Sequence, residues 1–124
     1  MWPFCHITTR HGESLLNRLS RQKYALRAKI VKAMAHPTRL FIIDQLMKGE
    51  RCVCELIEMV GDDPSTISKH LSLMKSAGLL EDEKRGLKVF YKLKYRCLTG
   101  YLDCIDRVLT NNSKEYVKFA SLDV

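Results

Sequence analysis

Residues 63–79 read Asp63-Pro64-Ser65-Thr66-Ile67-Ser68-Lys69-His70-Leu71-Ser72-Leu73-Met74-Lys75-Ser76-Ala77-Gly78-Leu79. Asp62-Asp63 followed by proline is helix-start chemistry. Either carboxylate can accept from the free amides of a first turn, and proline suits the first helical position, where its missing N–H is no loss. Ile67, Leu71 and Met74 recur at helical spacing on one face, leaving Ser65, Thr66, Ser68, Lys69 and His70 largely on the other. Gly78 stops the run. The stretch therefore predicts a helix over 64–76 with a buried apolar stripe and an exposed face of small polar and basic side chains.

The sequence on both sides places that helix in a larger unit. Downstream, Val89, Tyr91 and Leu93 alternate with Lys88, Phe90 and Lys92, the period of a strand. Two short strands separated by Lys84-Arg85-Gly86-Leu87 read as a β-hairpin, with Gly86 supplying the unusual backbone angles. Upstream lies a short acidic helix over 52–60, ended by Gly61. Before it, another helix opens at Pro37 and runs through Leu40, Ile43 and Met47 to Gly49. Two helices joined by a turn of about four residues and followed by a Lys/Arg-rich hairpin are the order of a winged helix-turn-helix.

Amphipathic helices frame this unit. Residues 14–35 place Leu15, Leu19, Leu26, Ile30 and Met34 at helical separations, and carry six cations (Arg18, Arg21, Lys23, Arg27, Lys29, Lys32) and no acid. Residues 96–110 show a near-continuous stripe of Leu98, Tyr101, Leu102, Ile105, Val108 and Leu109. The expected fold is mainly α with a β-hairpin wing. One domain spans 14–112, between a flexible arm at 1–13 and a tail at 113–124.

The chain has 124 residues, 46% of them apolar, with 21 Lys and Arg against 14 Asp and Glu, a net charge of +7. Such a balance points to a polyanionic partner, nucleic acid or an anionic surface. The charge is not spread evenly. Residues 64–94 hold seven cations and three acids, a local +4, whereas residues 50–63 hold five acids and only Arg51, a local −4. Positive charge therefore gathers where a DNA-facing helix and wing would lie. Ser65, Thr66, Ser68, Lys69 and His70 of the helix, and Arg85 and Lys88 of the wing, are the candidate contacts to phosphates and base edges. Ser65 can equally be a cap, Lys69 a solvated side chain and His70 a polar residue beside the core. No apolar run approaches the roughly 20 residues of a membrane-spanning helix, and residues 1–5 lack the apolar core of a secretory signal. The expected compartment is the cytoplasm, with no membrane partner. There, five cysteines are free thiols, reactive thiols or metal ligands rather than a disulfide framework.

Ala35-His36-Pro37-Thr38-Arg39-Leu40, Cys52-Val53-Cys54-Glu55-Leu56, Ser65-Thr66-Ile67-Ser68-Lys69-His70-Leu71, Ala77-Gly78-Leu79 and the Arg85-Gly86 wing, taken in order, resemble the ArsR/SmtB repressors. The resemblance covers residues 25–110. It implies a homodimer, built through the first and last helices, that binds double-stranded operator DNA and leaves it when a metal or metalloid ion binds.

Cys52 and Cys54 are the first candidate site for that ion. Thiols one residue apart have Cα atoms at most about 7 Å from each other, so both sulfurs can reach one soft ion. Amides at a helix N-terminus, with Lys48 and Arg51 nearby, favour the thiolate. Thiolates select trivalent arsenic or antimony, cadmium, lead or zinc, and reject magnesium and calcium. In arsenic-responsive relatives a third cysteine follows three residues on, where this chain has Ile57. Cadmium- and lead-responsive relatives recruit cysteines from an N-terminal arm of the partner protomer, and Cys5, with His6 or His11 behind it, is available in such an arm. Cys5, Cys52 and Cys54 would make a three-thiolate site suited to arsenite.

Cys97 and Cys104 compete as an alternative thiol site. Seven helical residues span about 10.5 Å, too far for one ion within a chain, so further ligands or a symmetry mate would be needed. Cys104 can instead be a small apolar residue at a dimer seam. The zinc-sensing pattern of Asp and His on the last helix is absent, because no histidine follows His70. A redox or reactive-sulfur sensor using the same thiols is a second regulatory reading. A small thiol oxidoreductase is a third, opposed by the lack of a Cys-x-x-Cys motif, a phosphate loop or an acid/base pair, so no enzyme activity is expected. DNA binding without any inducer is the fourth.

Overall fold

The computed structural model describes residues 17–112. In chain order these form α1 (Arg18–Met34), α2 (Pro37–Met47), β1 (Arg51–Cys52), α3 (Val53–Val60), α4 (Pro64–Ser76), β2 (Leu80–Arg85), β3 (Lys88–Leu93) and α5 (Leu98–Asn112). The strands make one antiparallel sheet in the order β1-β3-β2. This is a mainly α winged helix-turn-helix, with α3 and α4 as the two helices of the motif and β2–β3 as the wing.

Local chemistry sets most boundaries. Asn17 caps α1, its Oδ1 accepting from the Ser20 N–H at 2.9 Å. The expected earlier start, at residue 14, lies outside the described residues, as do the arm at 1–13 and the tail. His36 caps α2 with its ring, Nδ1 accepting from the Thr38 N–H at 3.1 Å, and Pro37 takes the first helical position. Gly61 closes α3 at φ +82°, a left-handed conformation in which a side chain would be strained.

Three expectations shift. The hairpin loop is Gly86-Leu87 alone, because Lys84 pairs with Val89 and Arg85 with Lys88 in the sheet. A two-residue loop with Gly86 at φ +63° matches the strand twist, so four loop residues are not needed. Cys52 belongs with Arg51 to a two-residue strand rather than to the first turn of the acidic helix, Arg51 pairing with Tyr91 and Cys52 with Phe90. Finally, α5 begins at Leu98, which leaves Cys97 in the turn before it.

The core lies where α2, α3 and α4 meet the inner face of the sheet. Ile42, Ile43 and Leu46 from α2, Leu56 from α3, and Ile67, Leu71 and Met74 from α4 are almost wholly buried, with Leu79, Leu80, Tyr91 and Leu93 closing the sheet side. The flanking helices differ. Only Ala33 and Met34 of α1 are buried, and no residue of α5 is. Among the described residues no helix is long and apolar enough to cross a membrane. Because Leu71 is 1% exposed at the centre of this packing, Leu71→Ala should lower unfolding free energy by about 2–5 kcal/mol, read from the urea midpoint. A loss below about 1 kcal/mol would place Leu71 outside the tightly packed core.

Candidate nucleic-acid interface and thiol site

The start of α4 is built on Asp63. Its carboxylate accepts from the Ser65 N–H at 3.0 Å, from the Ser65 hydroxyl at 2.7 Å and from the Thr66 hydroxyl. These bonds, the Thr66 hydroxyl foremost, hold its pKa down to about 2. Ser65 and Thr66 therefore both turn back to the cap, while Ser68 and Lys69, further along, are exposed. His70 is half-buried, its ring centroid 4.5 Å from that of His36 at the α2 cap. The candidate contacts on α4 thus fall into three settings: two hydroxyls engaged in the cap, two free polar side chains, and one histidine packed between helices.

The wing is tied to the body by charge. Arg85 makes a two-pronged ion pair with Glu50, at 2.5 and 2.9 Å, and a bond to Glu83 at 2.8 Å, and its guanidinium lies 4.6 Å from the Phe90 ring. The Arg85 bond pulls the Glu50 carboxyl below its usual range. Lys75 at the end of α4 reaches Asp82 on β2 at 2.8 Å, fixing the second helix of the motif to the wing. Lys88 stays exposed beside the fully exposed tip residue Leu87. Glu50 is a partner that spacing could not reveal, since it lies 35 residues from Arg85.

Cys52 closes β1 and is the N-cap residue of α3; it is 4% exposed, whereas Cys54 on the first turn is exposed. Hydrogen bonding from Cys54, then the amides of Cys54 and Glu55 and the charge of Lys88, lowers the Cys52 pKa, while the neighbouring Cys52 raises that of Cys54. The cation acting on both thiols is thus Lys88 of the wing, not the expected Lys48 or Arg51, of which Arg51 pairs with Glu55 at 3.4 Å.

Cys52 and Cys54 line an open cleft of about 590 Å³ bounded by α3, α4 and the wing, with Val53, Ile57, Leu71 and Val89 among its apolar walls. Among the described residues no cluster of three or more Cys, His, Asp or Glu is arranged to hold a metal ion. Cys5, the proposed third thiol, lies outside the described residues, as do His6 and His11. Cys97 and Cys104 are both exposed, and with Cys97 in the turn before α5 they do not share one helix.

Residues 36–82, from the His36 cap through the start of the wing, match the family described as bacterial regulatory protein, arsR family. The cadmium resistance transcriptional regulatory protein CadC homolog of Staphylococcus aureus is 35% identical over 94 residues, covering 72% of this chain and 77% of that protein. The chain belongs to the ArsR family. The arsenical resistance operon repressor of Escherichia coli K12 is 39% identical over 71 residues, 56% of this chain and 61% of that protein. The fold is shared with a homodimeric winged helix-turn-helix DNA-binding domain from Mycobacterium bovis, with a TM-score of 0.69, 24% identity, and coverage of 83% of this chain and 95% of that one. As an ArsR-family winged helix-turn-helix protein, the chain is a DNA-binding transcriptional regulator.

The His36–His70 contact makes the packing of α4 on α2 sensitive to pH. Burial, then the neighbouring His36 and Arg39, lowers the His70 pKa below 6.5, against a smaller opposing pull from Asp62. The folded state therefore disfavours the proton, and stability is full above about pH 6.5 and falls as pH drops toward the folded pKa. Urea unfolding between pH 7.5 and 5 should show this loss, and His70→Gln should flatten it. An unchanged slope in that variant would assign the titration to another group.

Proposed function

We propose that the chain is a homodimeric repressor that grips operator DNA with α4 and the wing and releases it when a thiophilic ion binds Cys52 and Cys54. Arsenite is the preferred inducer, with Cys5 as third ligand, and cadmium or lead comes next. One observation carries the reading. Cys52 belongs at once to the strand paired with the wing and to the cap of the helix that supports α4, with a second thiol two residues on, at Cys54. A bond made to this pair acts on both DNA-facing elements.

The donor chemistry agrees with the ion. Two adjacent sulfurs, one favoured as thiolate, form a soft set. The names of the Staphylococcus aureus and Escherichia coli relatives, cadmium resistance regulator and arsenical resistance repressor, support the same class of inducer.

A homodimer is supported by the exposed apolar faces of the framing helices. Leu19, Tyr24, Leu26 and Val31 of α1 and Tyr101, Val108 and Leu109 of α5 lie open in the single chain, and faces of this kind are ordinarily covered by a partner. Two copies of α4 would meet successive major grooves about 34–36 Å apart on a dyad-symmetric operator. The placing of Cys52 and Cys54 on one cleft also favours a second reading, in which an oxidant or reactive sulfur species replaces the ion. Cys97 and Cys104 are the alternative thiols for either trigger.

Two experiments test these assignments. Lys69→Ala and Lys88→Ala should each weaken operator binding and each reduce the slope of log K against log salt by about 1; unchanged slopes would remove those residues from the phosphate contacts. Operator release from Cys52→Ser/Cys54→Ser should be lost for arsenite, cadmium and lead alike. Arsenite release retained in the double variant would sink the Cys52/Cys54 site and move it to Cys97 and Cys104. In the native chain, release by oxidant but by none of the ions would establish the redox reading.

A further inference from the structure

A second cleft, of about 640 Å³, opens away from the thiols between α1, the first turn of α2 and the last turn of α4. It meets α4 on a different side, since Ser68 and Ser72 edge the thiol cleft and Leu73 and Ser76 edge this one. Its wall is of two kinds. Ala25 and Ala33 of α1, Leu73 of α4 and Ala77 just after it are apolar, whereas Lys29 and Lys32 of α1 and Arg39 of α2 are cations. Neither an acid nor an aromatic ring lines it among the described residues, and no ion pair among them involves any of the three cations. Arg39 is held in place by α1, its Nη1 donating to the Lys32 and Ala33 carbonyls at 3.1 and 3.3 Å. Its Nε is buried without a partner, a state that costs free energy until an acceptor arrives. Leu73 is 44% exposed beside these charges, although Ile67, Leu71 and Met74 of the same helix are buried.

Charge and wall together select one ligand chemistry. A bare inorganic anion would leave Leu73 and the alanines in water, and a neutral hydrocarbon would leave three like charges uncompensated. A nucleotide would find no ring to stack on and no carboxylate for its sugar hydroxyls. We infer that this cleft is a binding site for an amphiphilic anion, with a carboxylate or sulfonate head on Lys29, Lys32 and Arg39 and an aliphatic body on Ala33, Leu73 and Ala77. The guanidinium edge carrying Nε suits such a head, because a planar fork matches two acceptor oxygens. The volume falls in the usual range of small-molecule sites, about 300–1,000 Å³. The site uses neither Cys52 nor Cys54 and goes beyond the ion-released reading. Because Leu73 and Ser76 belong to α4, the ligand touches the helix assigned to the major groove and sets a negative head on the helix that carries Lys69. Its binding and that of DNA therefore oppose each other.

The test titrates the full chain, reduced and at fixed ionic strength, with octanoate, decanoate, 1-octanol and octylammonium in a calorimeter. Octanoate should bind once per chain, and the neutral and cationic probes at least about tenfold more weakly. Decanoate should bind more tightly than octanoate, by up to about fourfold for each added methylene. Lys29→Glu/Lys32→Glu changes two exposed side chains and should weaken octanoate at least about tenfold. Ser76→Tyr, also at an exposed position, fills the cleft without altering its charge and should weaken decanoate by a similar factor. Cys52→Ser/Cys54→Ser should bind octanoate as the native chain does, and octanoate should still lower its affinity for an operator duplex selected by the native chain from a randomised pool. Equal binding of octanoate and 1-octanol, or octanoate binding indifferent to Lys29→Glu/Lys32→Glu, would overturn the inference. So would octanoate binding lost in the cysteine variant, which would move the ligand to the thiol cleft. Absence of octanoate binding, with a lower salt slope of operator binding in Lys29→Ala/Lys32→Ala, would overturn it in favour of DNA phosphates as the partner of these cations.

Discussion

The two-residue strand Arg51–Cys52 is the constraint on which the rest of this molecule depends. Its pairing with Tyr91 and Phe90 joins the wing to the body at the point where the chain turns into α3. Without that pairing the wing would be a two-stranded hairpin, a unit that is marginal on its own in water. With it, β3 becomes the central strand of a three-stranded sheet and sends Tyr91 and Leu93 into the core. The position of the wing relative to α4 is then fixed by backbone hydrogen bonds on one side and by the Lys75–Asp82 pair on the other.

Electrostatics reinforces this joint at its solvent face. Glu50, immediately before β1, and Glu83 on the wing hold Arg85, which also lies over Phe90, the residue paired with Cys52. Exposed ion pairs are individually weak, but this one is two-pronged and shared between two acids. Part of the acidic segment between the two basic regions thus has a local role, that of neutralising an arginine whose own strand must lie against the body. Lys69 and Lys88, in contrast, make no such pair with an acid among the described contacts, so their charge is available to a polyanion.

Most of this fold was legible in the sequence because its elements are punctuated locally. Asp63-Pro64, His36-Pro37, Gly61, Gly78 and Gly86 act within a few residues of themselves, and Ile67, Leu71 and Met74 mark their face by spacing alone. What escaped the reading depended on distant partners. Two residues cannot show a period-two pattern, so β1 exists only because β3 offers it an edge. Glu50 and Arg85 are likewise brought together by that strand. For the thiols, the residue types and their one-residue separation were legible, but the cation beside them was not. Lys48 and Arg51 are close in sequence, yet the turn into α3 gives Arg51 to Glu55 and brings in Lys88 from the far strand. His70 shows the same limit, since a helical wheel places it with Lys69 on the polar side and cannot foresee the His36 ring against it.

The proposed switch follows from having one joint serve two ligands. Release of DNA does not require the ion to unfold anything; it requires only that the ion-bound and DNA-bound arrangements of β1, α3 and the wing differ. A ligand moves that equilibrium by no more than its difference in affinity for the two arrangements, and about 5.5 kcal/mol of difference carries a population from 1:99 to 99:1. A site remote from the DNA-facing elements would have to transmit such a difference through the core, where packing resists small displacements. A site at Cys52 has no such distance to cross, because its strand partner belongs to the wing and its helix packs on α4. The same proximity makes the coupling mutual: operator DNA, by holding the wing and α4 at one spacing, must weaken the thiol site for its ligand by the factor through which that ligand weakens DNA binding.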